Sequence, residues 1–233
     1  MTDHPVVDHE RWLAARRALL EEEKAFSRAR DALAARRRAL PWEAVTKTYV
    51  FDTPAGPRRL EELFAGRSQL FVYHFMLGPG WEAGCKSCSY LADHFDGMLP
   101  HLRARDVTFL VVSRAPLAEI DAFQRRMGWR FPWVSAHGTD FNYDYDASSR
   151  PEDLAAGRAT YNYQPRDGQM TELPAASVFC RDADGQVFHT YSTYARGLDM
   201  LIGTYQVLDL MPKGRDEDAL EFSMAWVKHH DRY

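Results

Sequence analysis

The chain of 233 residues is 45% hydrophobic, 13% aromatic and 27% charged, and its formal net charge is −4. This length suits one domain of generous size or one domain with an appended helical element, and the apolar fraction is large enough to form a core, which excludes wholesale disorder. The mild acidity predicts no nucleic-acid partner, because nucleic-acid-binding domains are normally basic. The three cysteines are too few for a secreted scaffold held together by disulfides.

The beginning of the sequence shows no targeting or anchoring pattern. No basic start is followed by an apolar stretch. No segment reaches the roughly 18 uncharged apolar residues that a membrane-spanning helix needs. We therefore expect a cytoplasmic protein with no membrane partner. Thiols in the cytosol are kept reduced, so a cysteine pair there indicates metal binding or catalysis more than a structural bridge.

Residues 8–40 are predicted to form a helix, because they contain no glycine or proline and are rich in Ala, Leu, Glu and Arg. Pro41 ends it. One apolar residue recurs every seven positions along this helix, namely Trp12, Leu19, Phe26, Leu33 and Leu40. Such a stripe packs along another helix or a groove, either on its own domain or in a homodimer. The sequence thus predicts an N-terminal helical extension over 1–42 and a main domain over 43–233.

Strand and helix patterns alternate through the main domain. The predicted elements are a buried strand at 69–77, a second at 106–114, a helix at 116–128, a hairpin at 176–192 and a helix at 195–210. Residues 138–173 are an irregular insertion before the hairpin, and the charged residues 213–218 are typical of a solvated turn. This order of elements predicts an α/β sandwich with a mixed sheet.

The most informative motif is the C-x-x-C pair formed by Cys85 and Cys88. It follows a buried strand and a Gly-rich loop, at the predicted start of a helix. Helix starts stabilise a thiolate, so Cys85 is the candidate nucleophile. Cys88, one turn further on, is placed to attack a mixed disulfide formed at Cys85. Lys86 adds positive charge nearby and is a candidate substrate-binding residue.

Two other interpretations of the pair stay open. A zinc site would need a second Cys/His pair at ligand spacing, which the sequence does not contain, so no metal is predicted. The pair could also be two inert buried cysteines, as Cys180 is expected to be. The strand–loop–CxxC–helix context favours redox chemistry. No organic cofactor is predicted, since there is no G-x-G-x-x-G or P-loop motif.

The chain also resembles a known superfamily. LFVYHFML, CKSC and VTFLVVSRAPLAEIDAFQRRMGWRFPWVS resemble the thioredoxin-like core, and the SRAP–helix–FPWVS portion is nearest to peroxiredoxin-type members. Almost the whole chain is similar to the bacterial family called domain of unknown function 899, predicted dithiol–disulfide oxidoreductases. The matching sequence segments are RWLAARRALL, RRRALPW, QLFVYHFMLGPGWEAGCKSCSYLADHFDG, RMGWRFPWVS, DFNYDY, VFHTYSTYARGLDML and WVKHHDRY. The resemblance implies a thioredoxin-like three-layer sandwich with a mixed central sheet.

The resemblance also implies roles for individual residues. Cys85 matches the nucleophile and Cys88 the resolving cysteine of the superfamily. Pro174 is the candidate for the conserved cis-proline that faces the cysteines, although it lies slightly earlier than hairpin counting places that proline. Peroxiredoxins keep a threonine three residues before their reactive cysteine, and Glu82 stands there in this chain. This difference argues against a peroxide-specific pocket.

Two further residues are site candidates. His74 occupies the strand position where thioredoxins have a buried Asp. It is either a core residue or a buried proton acceptor for Cys88, since histidine titrates near neutral pH. Trp81, with the aromatic residues of the insertion, either walls the entrance to the cysteines and binds substrate or packs a loop onto the domain.

The sequence as a whole predicts a thiol–disulfide oxidoreductase. Its expected partners are a disulfide-containing protein or small-molecule substrate and an external thiol reductant. Two alternatives remain, a redox-responsive binding or scaffold protein and a thiol peroxidase of the peroxiredoxin-like type. Titration of the Cys85 thiolate separates a catalytic pair from an unreactive one.

Overall fold

A computed structural model describes residues 4–233 of the chain. The chain divides into two compact units, Met1–Pro41 and Trp42–Tyr233. Within residues 4–233, no helix combines the length and the apolar character that crossing a lipid bilayer requires.

The first unit contains one long helix, α1, His9–Arg38. Asp8 caps it, because its carboxylate accepts a hydrogen bond from the backbone N–H of Arg11 at 2.8 Å. Three arginines occupy the last turn, where cations complement the helix dipole. The surface against which the seven-residue stripe packs stays a prediction.

The second unit alternates strands and helices. The strands are β1 (Glu43–Ala44), β2 (Val50–Phe51), β3 (Arg58–Arg59), β4 (Gln69–His74), β5 (Val107–Ser113), β6 (Trp133–Ser135), β7 (Thr160–Tyr161), β8 (Gln164–Pro165), β9 (Ala175–Arg181) and β10 (Val187–Tyr194). The α-helices are α2 (Lys86–Ala92), α3 (Leu99–Ala104), α4 (Leu117–Met127), α5 (Phe141–Asp144), α6 (Pro151–Ala155) and α7 (Gly203–Leu208). The 3-10 helices are Leu60–Phe64, Asp96–Met98, Ala195–Leu201 and His230–Arg232.

Six of these strands form one mixed sheet in the order β1-β10-β9-β4-β5-β6. The strands β4, β5 and β6 are parallel, whereas β9 runs antiparallel to β4 and pairs with β10 as a hairpin. A strand leading to the cysteine-bearing helix, a parallel strand on one side of it and an antiparallel hairpin on the other define a thioredoxin-like fold. The predicted fold class is therefore confirmed.

Layers of side chains cover both faces of the sheet, which explains why β4 and β5 are apolar without interruption. Helices α2 and α4 pack on one face, called here the cysteine face. The 3-10 helix Leu60–Phe64 and α5 pack on the opposite face. Because side chains alternate along a strand, Tyr73 lies on the cysteine face and His74 on the opposite face.

The closing helix expected over 195–210 is interrupted in the structure. A 3-10 helix, Ala195–Leu201, is followed by α7, and Ile202 between them has an extended backbone with φ −96° and ψ 92°. The Ile202 side chain is 2% exposed and packs into the core of the cysteine face. Tertiary packing has therefore overridden the helical pattern at this point.

Candidate active site

Cys85 lies where the loop after β4 meets α2. Its backbone N–H donates a hydrogen bond to the carbonyl oxygen of Met76 at 3.0 Å. Its own carbonyl oxygen accepts from the backbone N–H and from the hydroxyl of Ser89, both at 2.9 Å. Cys85 is also the residue that caps the start of α2. Its backbone is therefore fixed on both sides of the reactive side chain.

The residue before Cys85 must be a glycine. A Cβ atom on Gly84 would clash with the rings of Phe75 and Phe123. The carbonyl oxygen of Gly84 lies 2.9 Å from Nε2 of His229, which is placed to donate a hydrogen bond to it. Close packing and this contact together set the position of Cys85 relative to the core.

The two cysteines of the motif are neighbours and both are free thiols. Their side chains lie 4.0 Å apart. Cys85 is partly exposed, whereas Cys88 is only 2% exposed. Since a disulfide requires an S–S distance of about 2.05 Å, a small movement of either side chain would allow the bond to form.

The surroundings of the two thiols push their pKa values in opposite directions. A hydrogen bond from the Cys88 side chain, helped by the backbone N–H groups of Cys88 and Ser87, lowers the pKa of Cys85 to about 6 against the opposing effect of burial. Burial raises the pKa of Cys88 well above its ordinary value, and the neighbouring Cys85 adds to this shift. At neutral pH the pair is therefore a thiolate at Cys85 next to a protonated thiol at Cys88.

Tyr73 is the polar group that accompanies Cys88 in the core. Its side chain is 1% exposed, and its hydroxyl forms a hydrogen bond with the Cys88 side chain. Burial raises the pKa of Tyr73, so the phenol keeps its proton and acts as the donor. Edge-on packing against Phe75 and Phe95, with ring centroids 6.2 and 5.3 Å away, fixes the ring. This bond favours the thiolate of Cys88 and partly offsets burial.

A cavity of about 1130 Å³ lies beside the cysteines. Tyr73, Cys85 and Cys88 line it, together with the 3-10 helix Ala195–Leu201 and most of residues 213–224. Residues 213–226 are called here the wall segment. The cysteines thus face a cavity that is partly open to solvent, and not a flat protein surface.

Arg215 attaches the wall segment to the domain at one point. Its guanidinium donates hydrogen bonds to Asp199 at 3.0 Å and to Asp209 at 2.7 Å. The same group lies 3.8 Å from the centroid of the Tyr205 ring, close enough for a cation–π interaction.

Glu217 provides a second attachment. One carboxylate oxygen, Oε1, accepts hydrogen bonds from the Tyr205 hydroxyl at 2.8 Å, from the indole N–H of Trp226 at 2.6 Å and from the backbone N–H of Met224 at 3.0 Å. Hydrogen bonds to an ionised group are about twice as strong as neutral ones. The wall segment is therefore held by charge-assisted bonds at Arg215 and at Glu217.

The predicted substrate-binding residues occupy three different places. Pro174 lines the cavity with the cysteines, directly before β9, and its peptide bond is trans. The ammonium of Lys86 donates to the carbonyl oxygen of Ala225 at 3.2 Å, so it joins α2 to the wall segment. Trp81 lies outside the cavity, beside Gly78. The structure thus brings Pro174 and Lys86 close to the cysteines, and the substrate-binding role of all three residues stays a prediction.

His74 lies on the opposite face of the sheet. Its Nδ1 is 3.1 Å from Oδ1 of Asn142, its Nε2 is 3.0 Å from the hydroxyl of Ser177, and its ring stacks on Phe141 at 5.5 Å. Burial lowers the pKa of His74 to about 4, so the ring is neutral. With both nitrogens engaged there, His74 does not reach Cys88. Of the two alternatives drawn from the sequence, these contacts agree with a core residue and not with a direct proton acceptor for Cys88, whose polar neighbour is Tyr73.

The family model for the bacterial protein of unknown function DUF899 matches residues 1–233. The chain belongs to this family. A search of curated proteins gives no match.

Among solved structures, a mutant of PrxQ from Xylella fastidiosa is similar at 13% identity and a TM-score of 0.45, over 71% of this chain and 94% of that one. Peroxidoxin BcpB from Mycobacterium tuberculosis is similar at 14% identity and a TM-score of 0.42, over 72% and 97%. The mitochondrial 2-cys peroxiredoxin from Plasmodium falciparum gives 12% identity and a TM-score of 0.42, over 72% and 93%. The fold assignment above rests on strand order and not on these similarities.

Sequence reasoning missed the residues that complete this DUF899 site. Tyr73 received no role from the sequence. The alternation of side chains along β4 places Tyr73 and His74 on opposite faces of the sheet, so Tyr73 becomes a candidate once the face that holds the cysteines is known. Arg215 and Glu217 were expected in a solvated turn. The cluster of aromatic residues around them, including Phe222 and Trp226, was the available indication that this stretch packs against the domain.

Proposed function

We propose that this DUF899 protein is a dithiol–disulfide oxidoreductase in which Cys85 attacks and Cys88 resolves. The observation that carries the proposal is the opposite character of two neighbouring thiols. Cys85 is partly exposed to a cavity and has a pKa lowered to about 6. Cys88 is buried 4.0 Å away and keeps its proton. A thiolate is the nucleophile in disulfide exchange, and a neighbouring protected thiol is what a resolving step needs.

The reaction proceeds in two exchanges. The Cys85 thiolate attacks one sulfur of the substrate disulfide, the substrate S–S bond breaks, and one substrate thiolate leaves. Cys88 then loses its proton and attacks the Cys85 sulfur, which forms the Cys85–Cys88 disulfide and releases the second substrate thiol. The substrate disulfide gains two electrons and the protein dithiol loses them. An external thiol reductant returns the pair to the dithiol.

Tyr73 supports the second exchange. Its hydroxyl donates to the Cys88 sulfur, so it stabilises the negative charge that develops there when the proton leaves. Once Cys85 is part of the mixed disulfide, it no longer carries the negative charge that helps Cys88 to keep its proton. Cys88 can then ionise and become the nucleophile, and the Cys85 sulfur becomes the atom that is attacked.

The deciding experiment traps the intermediate. The Cys88→Ser variant, mixed with a small disulfide such as glutathione disulfide, is expected to gain one substrate half as a mixed disulfide, visible by intact-protein mass spectrometry. Cys180→Ser is the matched control, and it should convert to an internal disulfide without an adduct. A Cys85→Ser variant that forms the same adduct at Cys88 would contradict the assigned order of attack.

Turnover separates this proposal from a redox-responsive scaffold and from a peroxidase. With excess dithiothreitol, the unmodified protein is expected to reduce many disulfide molecules per protein molecule. A single oxidation without turnover would favour the scaffold. Hydrogen peroxide in place of the disulfide tests the peroxidase, which the presence of Glu82 three residues before Cys85 disfavours.

A further inference from the structure

Resting on the proposed oxidoreductase function, we propose that the cavity beside Cys85 binds a low-molecular-weight disulfide that carries both ammonium and carboxylate groups. An amino-acid or short-peptide disulfide has this chemistry. The same cavity disfavours disulfides on the surface of folded proteins.

Access to Cys85 is restricted by the wall segment. Arg215 and Glu217 hold this segment to Asp199, Asp209, Tyr205 and neighbouring groups through the hydrogen bonds given above. Lys86, next to the reactive cysteine, is bonded to Ala225 at its far end. The cavity is open on part of its surface, so a small molecule can reach Cys85 past this segment. We expect the bulk of a folded protein to be hindered by it.

The size of the cavity suits a small organic ligand. Pockets that take drug-sized molecules usually measure about 300–1,000 Å³. The volume here, about 1130 Å³, lies slightly above this range. A disulfide made of two amino-acid or short-peptide halves therefore fits beside the cysteines, with space for both halves.

The lining divides into apolar and charged parts. Near the cysteines it contains Met76 and Leu91, and Phe222 contributes from the wall segment. Lys213, Asp216 and Asp218 also line the cavity; all three are exposed, and none forms an ion pair within the described part of the chain. A free cation together with two free anions suits a ligand that carries both a carboxylate and an ammonium group. A disulfide of a single charge sign would leave the cation or the anions without a partner.

The test measures oxidation of the reduced protein in single turnover by disulfides of different charge. Cystine, which carries both charges and is close to the smaller disulfides in size, is measured beside glutathione disulfide. Glutathione disulfide carries both charges, cystamine is cationic, 3,3′-dithiodipropionate is anionic, and hydroxyethyl disulfide is neutral. Insulin supplies protein disulfides. Each rate is divided by the rate at which dithiothreitol reduces the same disulfide, which removes differences in the intrinsic reactivity of the disulfides. The expected result is a preference for glutathione disulfide and cystine of about tenfold or more over each of the others, with insulin the slowest.

Variants of the charged residues sharpen the test. Lys213→Gln and the double variant Asp216→Asn/Asp218→Asn are each expected to reduce the rate with glutathione disulfide severalfold more than the rate with hydroxyethyl disulfide. Lys228→Gln and Glu221→Gln are the matched controls, because they remove an exposed charge outside the cavity. Equal effects of the cavity variants and their controls would overturn the charge argument.

The outcomes distinguish this inference from the proposed function. If insulin reacts as fast as glutathione disulfide, the inference is overturned while the oxidoreductase assignment stands. If no disulfide oxidises the protein, both are overturned. Glu217→Ala gives a further readout, because loosening the wall segment should raise the insulin rate more than the rate with glutathione disulfide. A folded Glu217→Ala variant with an unchanged insulin rate would contradict the proposed role of the wall segment in access.

Discussion

The two faces of the central sheet carry two different polar systems, and adjacent residues of β4 belong to different ones. Tyr73 points to the cysteine face and contacts Cys88, a group that reacts in the proposed mechanism. His74 points to the opposite face and bonds to Asn142 and Ser177. One system is placed to change its protonation during a reaction, and the other is fully paired.

The polar system of the opposite face continues beyond His74 as a chain of hydrogen bonds. Ser177 lies 2.9 Å from the hydroxyl of Ser192, which lies 2.7 Å from Nε2 of His189. Buried polar groups are stable only when each has partners, and here each group has two. A buried histidine close to the cysteine pair in sequence can thus serve the stability of the fold, while the tyrosine one residue earlier serves the proposed chemistry.

The largest expected difference is between the two cysteines. With a pKa of about 6, roughly 90% of Cys85 is thiolate at pH 7, whereas Cys88 is almost wholly protonated. Iodoacetamide should therefore modify Cys85 about a hundredfold faster than Cys88. The rate at Cys85 should rise through pH 6 and level off by about pH 8. Peptide mapping after timed alkylation measures both, and a midpoint near pH 8.5 would contradict a catalytic thiolate.

His74 should make the stability of the protein depend on pH. Its folded-state pKa of about 4 lies below the ordinary value of 6.5, so the unfolded chain takes up the proton first as pH falls. The free energy of unfolding should be highest above pH 6.5 and decrease by about 3 kcal/mol toward pH 4 from this residue alone. In urea unfolding, the His74→Gln variant should lack this decrease in the free energy of unfolding between pH 6.5 and pH 4. A variant of the exposed His101, His101→Gln, should keep it. Equal slopes in all three proteins would refute the prediction.

Tyr73→Phe should affect the chemistry of the cysteine face. Loss of one hydrogen bond to a developing thiolate corresponds to about 1.4 kcal/mol, or about tenfold in rate. We expect resolution of the mixed disulfide to slow by that factor while attack by Cys85 keeps its rate. Rapid-quench mass spectrometry separates the two steps. His74→Gln is the control and should leave both rates unchanged.

The smallest expected effect comes from Ser192→Ala. This change removes the middle of the chain that joins Ser177 to His189, and it should lower the free energy of unfolding by about 1 kcal/mol. Alkylation of Cys85 should be unaffected, because Ser192 lies in the polar chain of the opposite face. A change in Cys85 reactivity would show that the two faces are coupled.

Local patterns in the sequence were sufficient to predict most of the sheet. The apolar runs of β4 and β5, the turn between β9 and β10 and the glycine that ends α4 are signals carried by a few neighbouring residues. The position of Cys85 and Cys88 between a strand and a helix was predictable for the same reason.

Contacts between distant parts of the chain could not be predicted in this way. Alternation along β4 shows that Tyr73 and His74 face opposite sides, but only the packed helix α2 shows which side holds the cysteines. The bond from Lys86 to Ala225 joins residues 139 positions apart. Charged residues such as Arg215 and Glu217 are typical of solvent-exposed turns, and nothing in their immediate neighbours indicates the partners they find in the folded protein.

The wall segment is synthesised well after the two cysteines whose cavity it lines. About 125 residues separate Cys88 from Lys213, and a ribosome adds roughly 5–20 residues per second. For about 6–25 seconds the ribosome has therefore made the dithiol but not yet the residues of the wall segment. During this interval Cys85 lacks the segment that covers part of its cavity in the finished protein. Nascent chains should accordingly be more easily oxidised than the folded product.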